Sequence, residues 1–249
     1  MLRSACPLWS RHDEFLNPKS THKLDGYLSR RAVLEALREQ LPNFCGTLLD
    51  VGCGQMPYRP ILLAPPSRVT KYIGMDLHEG SWSQLGPFDL EWDGHHIPLD
   101  DGAVDCAILV EVLVLCPDPE NVLREIIRVL KSGGMFFFTA QFLWPIVDAP
   151  NDQYRYTPHT LERLLQNAGF VDIKLQIHGG WDASLAQMIA LWARRRGRRN
   201  RYRALLTILA LPLVHLLAKI DSPPSSLEDF QGTVMITGIS GTARKSGTS

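Results

Sequence analysis

Two acids and two glycines carry the most specific chemistry in this chain. Asp50, Gly52 and Gly54 stand in Leu48-Leu49-Asp50-Val51-Gly52-Cys53-Gly54-Gln55-Met56-Pro57, and Asp76 stands in Tyr72-Ile73-Gly74-Met75-Asp76-Leu77. Each acid closes a short apolar run. Glycines at the mouth of a strand permit a tight turn and let a ligand approach the main chain with no Cβ in the way. In an open parallel sheet such a turn lies at the carboxyl end of a strand, and an acid about 25 residues further on stands where a ribose is held. Gln55 and Met56 follow Gly54, so the third glycine of the dinucleotide fingerprint is missing. That disfavours a pyrophosphate at the helix start, and with it a nicotinamide oxidoreductase. A nucleoside without phosphates fits better; the plain alternative is a tight turn capped by an acid.

The elements that must position these residues follow from periodicity. Gly26 to Leu41 has apolar residues at helical spacing and ends at Pro42 and Gly46. Strands are predicted at the glycine turn, up to Asp76, over Phe88–Trp92, Ala103–Val110, Met135–Phe142, Val171–His178 and Thr233–Ser240. The run Ala103–Val110 is apolar on both faces, as a central parallel strand should be. Short helices are predicted from Pro57 to Leu63, from Asp118-Pro119 to Gly133-Gly134, and from Thr157-Pro158 to Gly169, with Asp118 and Thr157 as caps. The fold class is α/β: one doubly wound, seven-stranded, mostly parallel sheet, with a helical insertion over residues 179–231 before the last strand. Residues 1–25 are expected to form an arm or short lid helix, and residues 241–249 a disordered tail.

The five motifs, in this order, resemble the class I S-adenosylmethionine (SAM)-dependent methyltransferases. Leu49-Asp50-Val51-Gly52-Cys53-Gly54 is similar to the family's first motif and Gly74-Met75-Asp76 to its second. Asp93-Gly94-His95-His96-Ile97-Pro98-Leu99, Val104–Leu113 and Leu123–Gly134 are similar to the type 11 subgroup, which methylates metabolites, quinones, lipids and glycans. The resemblance implies SAM as cofactor. It puts Asp50, Gly52, Cys53 and Gly54 at the methionine end, Asp76 and Leu77 at the ribose, Asp93 and Gly94 at the adenine, and Val110 and Glu111 beneath the sulfonium. The bland readings are a turn cap for Asp50, a solvated loop acid for Asp93 and a small apolar filler for Cys53.

Methyl transfer is an in-line displacement that proximity and alignment promote, and a base is needed only if the acceptor loses a proton. His95 and His96, on a loop near the expected cleft, are base candidates or solvated positional residues. Related enzymes carry Glu and His after the Glu-Val-Leu run, where this chain has Val114 and Leu115. That departure also admits a non-catalytic module of the same fold. Asp152-Gln153-Tyr154-Arg155-Tyr156-Thr157 resembles a motif associated with glycan and surface-polymer methylation. Arg155 and Tyr156 could hold a sugar or anionic acceptor, or the arginine could brace its loop.

Lys and Arg total 26, as do Asp and Glu, so no global field argues for nucleic acid. The five cysteines show no metal-ligand spacing and read as reduced thiols of a cytoplasmic protein, with no metal. The start lacks an apolar run of signal-peptide length. The insertion carries seven arginines between Arg194 and Arg203, followed by the apolar stretch Ala204–Ala218. Three readings stay open: a buried lid over the acceptor, a helix resting on an anionic membrane, or a span, for which about 15 residues fall short of roughly 20. The acceptor is expected to be a small molecule, a glycan or a lipid-linked intermediate.

Overall fold

The computed structural model describes residues 15–18, 23–77, 88–147, 149–196, 200–223 and 233–247. Most of the predicted N-terminal arm, Cys6, the middle of the arginine run at residues 197–199, the last part of the insertion at 224–232 and residues 248–249 lie outside them. The helices are α1 (Leu24–Gln40), α2 (Arg59–Leu62), α3 (Pro119–Val129), α4 (Pro158–Ala168), α5 (Trp181–Arg195) and α6 (Asn200–Ile220). The strands are β1 (Cys45–Val51), β2 (Arg68–Leu77), β3 (Leu90–Trp92), β4 (Val104–Val110), β5 (Leu130–Gln141), β6 (Phe170–His178) and β7 (Gly238–Lys245).

They form one sheet in the order β3-β2-β1-β4-β5-β7-β6. It is parallel except for β7, which runs antiparallel to both β5 and β6. Alternation within the central strands builds two apolar layers. Leu49, Val51, Ala107, Leu109, Phe136 and Phe138 face α3 and α4, whose Val122, Leu123, Ile126, Leu161 and Leu165 are buried against them. Leu48, Cys106, Ile108, Met135 and Phe137 face the other way, onto Val33, Ala36 and Leu37 of α1. The caps are as anticipated. Asp118 Oδ1 accepts from the Asn121 amide at 3.0 Å, Thr157 Oγ1 from the Thr160 amide at 3.3 Å, and Gly169 closes α4 in the left-handed region.

Three expectations are corrected. The last strand runs from Gly238 to Lys245 rather than from Thr233 to Ser240, so the first half of the expected tail is sheet. Its sequence is small and polar, but pairing with β5 on one side and β6 on the other satisfies its backbone and overrides its weak propensity. The α3 helix ends at Val129 rather than at the glycine pair, because Leu130 already joins the sheet opposite Val104. The apolar stretch of the insertion lies in a 21-residue helix, longer than the apolar run itself, so length no longer argues against a span.

Candidate active site

The strand tips place the acids. Parallel pairing sets Asp50 beside Gly74 and Val51 beside Met75, so Asp76 projects one residue beyond the β1 turn. The Gly52 and Cys53 amides both donate to the Met75 carbonyl, at 2.8 and 3.0 Å. The Gly54 amide donates to Asp76 Oδ2 at 2.5 Å, and the Leu77 amide to Asp76 Oδ1 at 2.7 Å. The glycine turn is thereby tied to the tip of β2. Gly52 and Gly54 have φ of 71° and 54°, conformations in which a side chain is strained. A Cβ on Gly52 would come within 2.5 Å of Val112 Cγ2, whereas one on Gly54 would meet nothing within 4 Å. One glycine is needed for packing; the other leaves an open corner.

Asp50 is 2% exposed and its Oδ2 accepts from the hydroxyl of buried Tyr72. Burial pushes its carboxyl up to about 7, against the Tyr72 hydrogen bond and with added repulsion from Asp76. Asp76 is also raised by burial, opposed by its two amide donors. Cys53 is buried, and its thiol is driven up by that burial and by Asp50, Asp76 and Asp89, as suits an apolar filler and not a nucleophile.

Glu111 follows β4 with φ of 62°, a left-handed value uncommon for a residue with a side chain. Its amide donates to the Thr139 carbonyl and hydroxyl oxygens at 3.2 and 3.1 Å. The Thr139 hydroxyl in turn donates to Glu111 Oε1 at 2.6 Å. Oε2 is sealed from solvent with no hydrogen-bond partner among the described residues. Burial raises this carboxyl to about 7, while Thr139 and the charge of Arg155 pull the other way. The Tyr58 hydroxyl is raised by its own burial and then by the nearby charges of Glu111 and Asp50, with Arg30 pulling the other way. Phe15 stands edge-on to Tyr58 at 6.0 Å.

Asp93 is exposed, and its Oδ1 receives the His95 and His96 amides, each at 2.7 Å, which lowers its carboxyl. Gly94 lies against Leu77, where a Cβ would sit 3.6 Å from Cδ2, so this loop borders the tip of β2. His96 turns away from that corner. Its Nδ1 is 2.9 Å from Glu125 Oε2 on α3, within a network that includes Arg128. His95 is exposed, and its carbonyl accepts from Asn121. The structure thus gives His96 a bracing contact rather than a free imidazole over the cleft.

In the acceptor-side motif the hydrogen bonds favour the second of the two readings, the brace. Arg155 grips Asp152 through both terminal nitrogens, at 2.6 and 2.8 Å, and donates to the carbonyls of Tyr154 at 2.7 Å and Pro145 at 3.0 Å. Tyr156 is 4% exposed, its hydroxyl donating to the Leu113 carbonyl at 3.3 Å. Neither offers free donors to a ligand through these groups. Val114 is buried, and its carbonyl takes the Gln153 and Tyr154 amides. Apolar residues suit this place because it anchors the loop. Sequence reasoning missed Tyr72 and Thr139, the partners of Asp50 and Glu111; β-strand register is the signal that pairs Thr139 with Val110, next to Glu111.

A methyltransferase-domain family model matches residues 49–138. A sarcosine/dimethylglycine N-methyltransferase of Halorhodospira halochloris is 34% identical over 91 residues, a third of each chain. The human thiol S-methyltransferase TMT1A is 28% identical over 166 residues, 56% of this chain and 68% of its own. The match thus spans about a third of the first relative's length and two thirds of the second's. A solved SAM-dependent methyltransferase from Thermotoga maritima, a possible histamine N-methyltransferase, shares the fold with a TM-score of 0.54 at 16% identity, covering 95% of this chain and 99% of its own. The motif order, the sheet topology and the family model over residues 49–138 agree in supporting a class I S-adenosylmethionine-dependent methyltransferase domain.

Proposed function

We propose that this protein transfers a methyl group from S-adenosylmethionine to a small-molecule nucleophile, with the cofactor at the glycine corner. The observation that carries this reading is the open side of Gly54 between two strand-tip carboxylates, Asp50 and Asp76. The residues fit the cofactor. Asp50 would pair with the ammonium of its methionine end, and the Gly52–Gly54 backbone would border it. Asp76 accepts two amides and a carboxylate offers about four lone-pair sites, so capacity remains for two ribose hydroxyls. Leu77, Gly94 and Asp93 would flank the base, and Val110 with Glu111 would line the reacting end. When bound, the cofactor supplies an electrophilic methyl group on a sulfonium.

The chain's own contribution is alignment of cofactor and acceptor, which converts an encounter into an intramolecular step. Where the acceptor carries a proton, Glu111 is a base candidate beside His95 and His96, once its Oε2, sealed in the ligand-free chain, is turned to the acceptor. Its carboxylate is oriented by Thr139, and a carboxyl near 7 matches a general base at neutral pH. The relatives are named for sarcosine, dimethylglycine and thiols, which favours a small acceptor. A glycan held by Arg155 is less well supported, because that guanidinium is already engaged. A lipid-linked acceptor, met by a cytoplasmic protein at an anionic membrane, accords with the basic and apolar insertion.

Calorimetric titration with SAM and S-adenosylhomocysteine tests the site, and mass spectrometry of extracts incubated with deuteromethyl SAM tests the reaction. Binding of both ligands with a labelled product is expected. Failure to bind either ligand would end the reading. Binding without any labelled product would favour the non-catalytic module that Val114 and Leu115 bring to mind.

A further inference from the structure

The hairpin of α5 and α6 carries more apolar surface than the domain consumes. On α6, Leu206, Ala210, Val214 and Leu217 form one stripe, packed on Ala186, Ala190 and Ala193 of α5 and on Leu24 of α1. The alanines let the helices approach closely, so this contact is complete as it stands. A second stripe on α6 consists of Tyr202, Leu205, Leu209, Leu213, Leu216 and Ile220, spaced by three or four residues along the whole helix. All six are exposed, Leu209 at 64%. The α5 helix has a bare stripe of its own: Trp181, Leu185, Met188 and Trp192. Contiguous apolar surface of this kind on a soluble domain marks an interaction site, and a helix apolar all round belongs in a core or in lipid.

Charge and tethering decide the occupant. The ten residues from Arg194 to Arg203 include seven arginines and no acid; of those described, Arg194 and Arg195 meet Asp25 of α1, while the run as a whole is strongly basic in sequence. Trp192 and Tyr202 stand at the same end of the hairpin as this run, and Trp181 at the other. Such rings favour the boundary between water and hydrocarbon. A surface of anionic headgroups over acyl chains complements all three features at once. A span is excluded by how the hairpin is tied down. The Asp221 carboxylate, just past α6, accepts the Gly180 and Ala183 amides at the start of α5, both at 2.9 Å. At the far end Arg195 pairs with Asp25 of α1 at 3.0 Å. Both ends of the hairpin therefore belong to the same side of any bilayer.

We propose that the α5–α6 hairpin is a docking surface for an anionic membrane, lying in the bilayer plane with its arginine end among the headgroups and its bare stripes in the outer hydrocarbon. This gives a place and an orientation to the membrane contact suggested above, and it does not depend on the assignment of the cofactor site. Arg195 also lies over the Trp144 ring at 5.2 Å, and Ile146 beyond it is 80% exposed. Docking would therefore hold the loop after β5 close to the lipid.

Flotation of the full chain with phosphatidylcholine vesicles, with and without phosphatidylserine, is the test. The parent should float with the anionic vesicles alone, and added salt should release it. The variant Leu209→Glu/Leu213→Glu should stay at the bottom while its SAM affinity is unchanged. Replacing Arg196, Arg198, Arg199 and Arg201 by Gln should lower partitioning about fivefold per residue. Brominated lipids in the anionic vesicles should quench the parent's tryptophan fluorescence, a readout that needs no variant. The proposal fails if the parent neither floats nor is quenched, or if the glutamate variant floats as the parent does. It also fails if the parent sediments as a dimer that the same substitutions dissociate and that has no affinity for vesicles; the stripe would then be a contact between copies of this chain.

Discussion

At the tips of β1, β2 and β4, three acids keep hydrogen-bonding capacity in hand; after β5, an arginine and an acid have spent theirs on each other. Asp76 uses two of its lone-pair sites on amides, and Glu111 keeps one buried oxygen unpartnered. By contrast, Asp152 is 3% exposed on its side chain and binds both arms of Arg155 as well as the Val147 amide at 2.8 Å. Both regions contain residue types suited to ligand binding. The difference teaches that a polar motif is a site only to the extent that the fold leaves its donors and acceptors unsatisfied. A satisfied cluster rigidifies a loop; an unsatisfied one is held open at a cost that a ligand can offset.

Substitution at the two regions should separate affinity from stability. The largest effect is expected for Asp76→Ala. Two hydrogen bonds from ribose hydroxyls to a charged acceptor, at about 1.5–3 kcal/mol each, correspond to a loss of SAM affinity of roughly 10²–10⁴-fold. Calorimetry reads it, and an affinity close to the parent's would break the contrast. Next comes Glu111→Gln. For an acceptor that must be deprotonated, methyl transfer should slow by about 10²–10⁴-fold. The parent's rate should rise with pH through about 7, as the carboxyl ionises, and this limb should vanish in the variant. A limb that persists would assign the base elsewhere.

Arg155→Ala should act in the opposite sense, leaving SAM affinity alone while destabilising the fold. Removing one member of a buried pair costs about 3–5 kcal/mol, and the low end applies because Arg155 is a quarter exposed. Urea denaturation measures this, and Arg155→Lys should not restore it, since an ammonium cannot grip a carboxylate through two parallel bonds. A variant that keeps its stability but loses SAM or acceptor binding would return the motif to the functional site.

The smallest effect is a pH dependence. Asp50 must ionise to pair with an ammonium, so SAM affinity should rise about tenfold per pH unit up to about 7 and level off above it. The same raised carboxyls give the ligand-free protein the reverse trend. Folded Asp50 and Glu111 hold protons that the unfolded chain has lost above its ordinary carboxyl range. Their contribution to stability is full below about 4 and is lost as pH rises through about 7. Thermal melts with and without SAM across this window would show the two slopes.

Much of this was legible from local pattern. The glycine turn, the Asp118 and Thr157 caps and the two-faced apolar strand β4 each follow from a few adjacent residues, and each appears where those residues stand. The helices of the insertion were legible in part, the apolar run marking α6 but not its length. The last strand was misplaced because its backbone is held by two neighbours, from β5 and β6, that are remote in the chain. The engagement of His96 by Glu125 and of Asp50 by Tyr72 was hidden for the same reason, since each pair meets only across elements.

The amino-acid sequence by itself determined the resemblance over the matched domain, the order of elements and which strand tips bear acids, because these depend on short-range spacing and the period of apolar residues. Only the tertiary structure decided which polar groups remain free and which apolar stripe remains bare. Both are differences between what a side chain can bind and what its neighbours in space already supply, and those neighbours are brought together by packing alone.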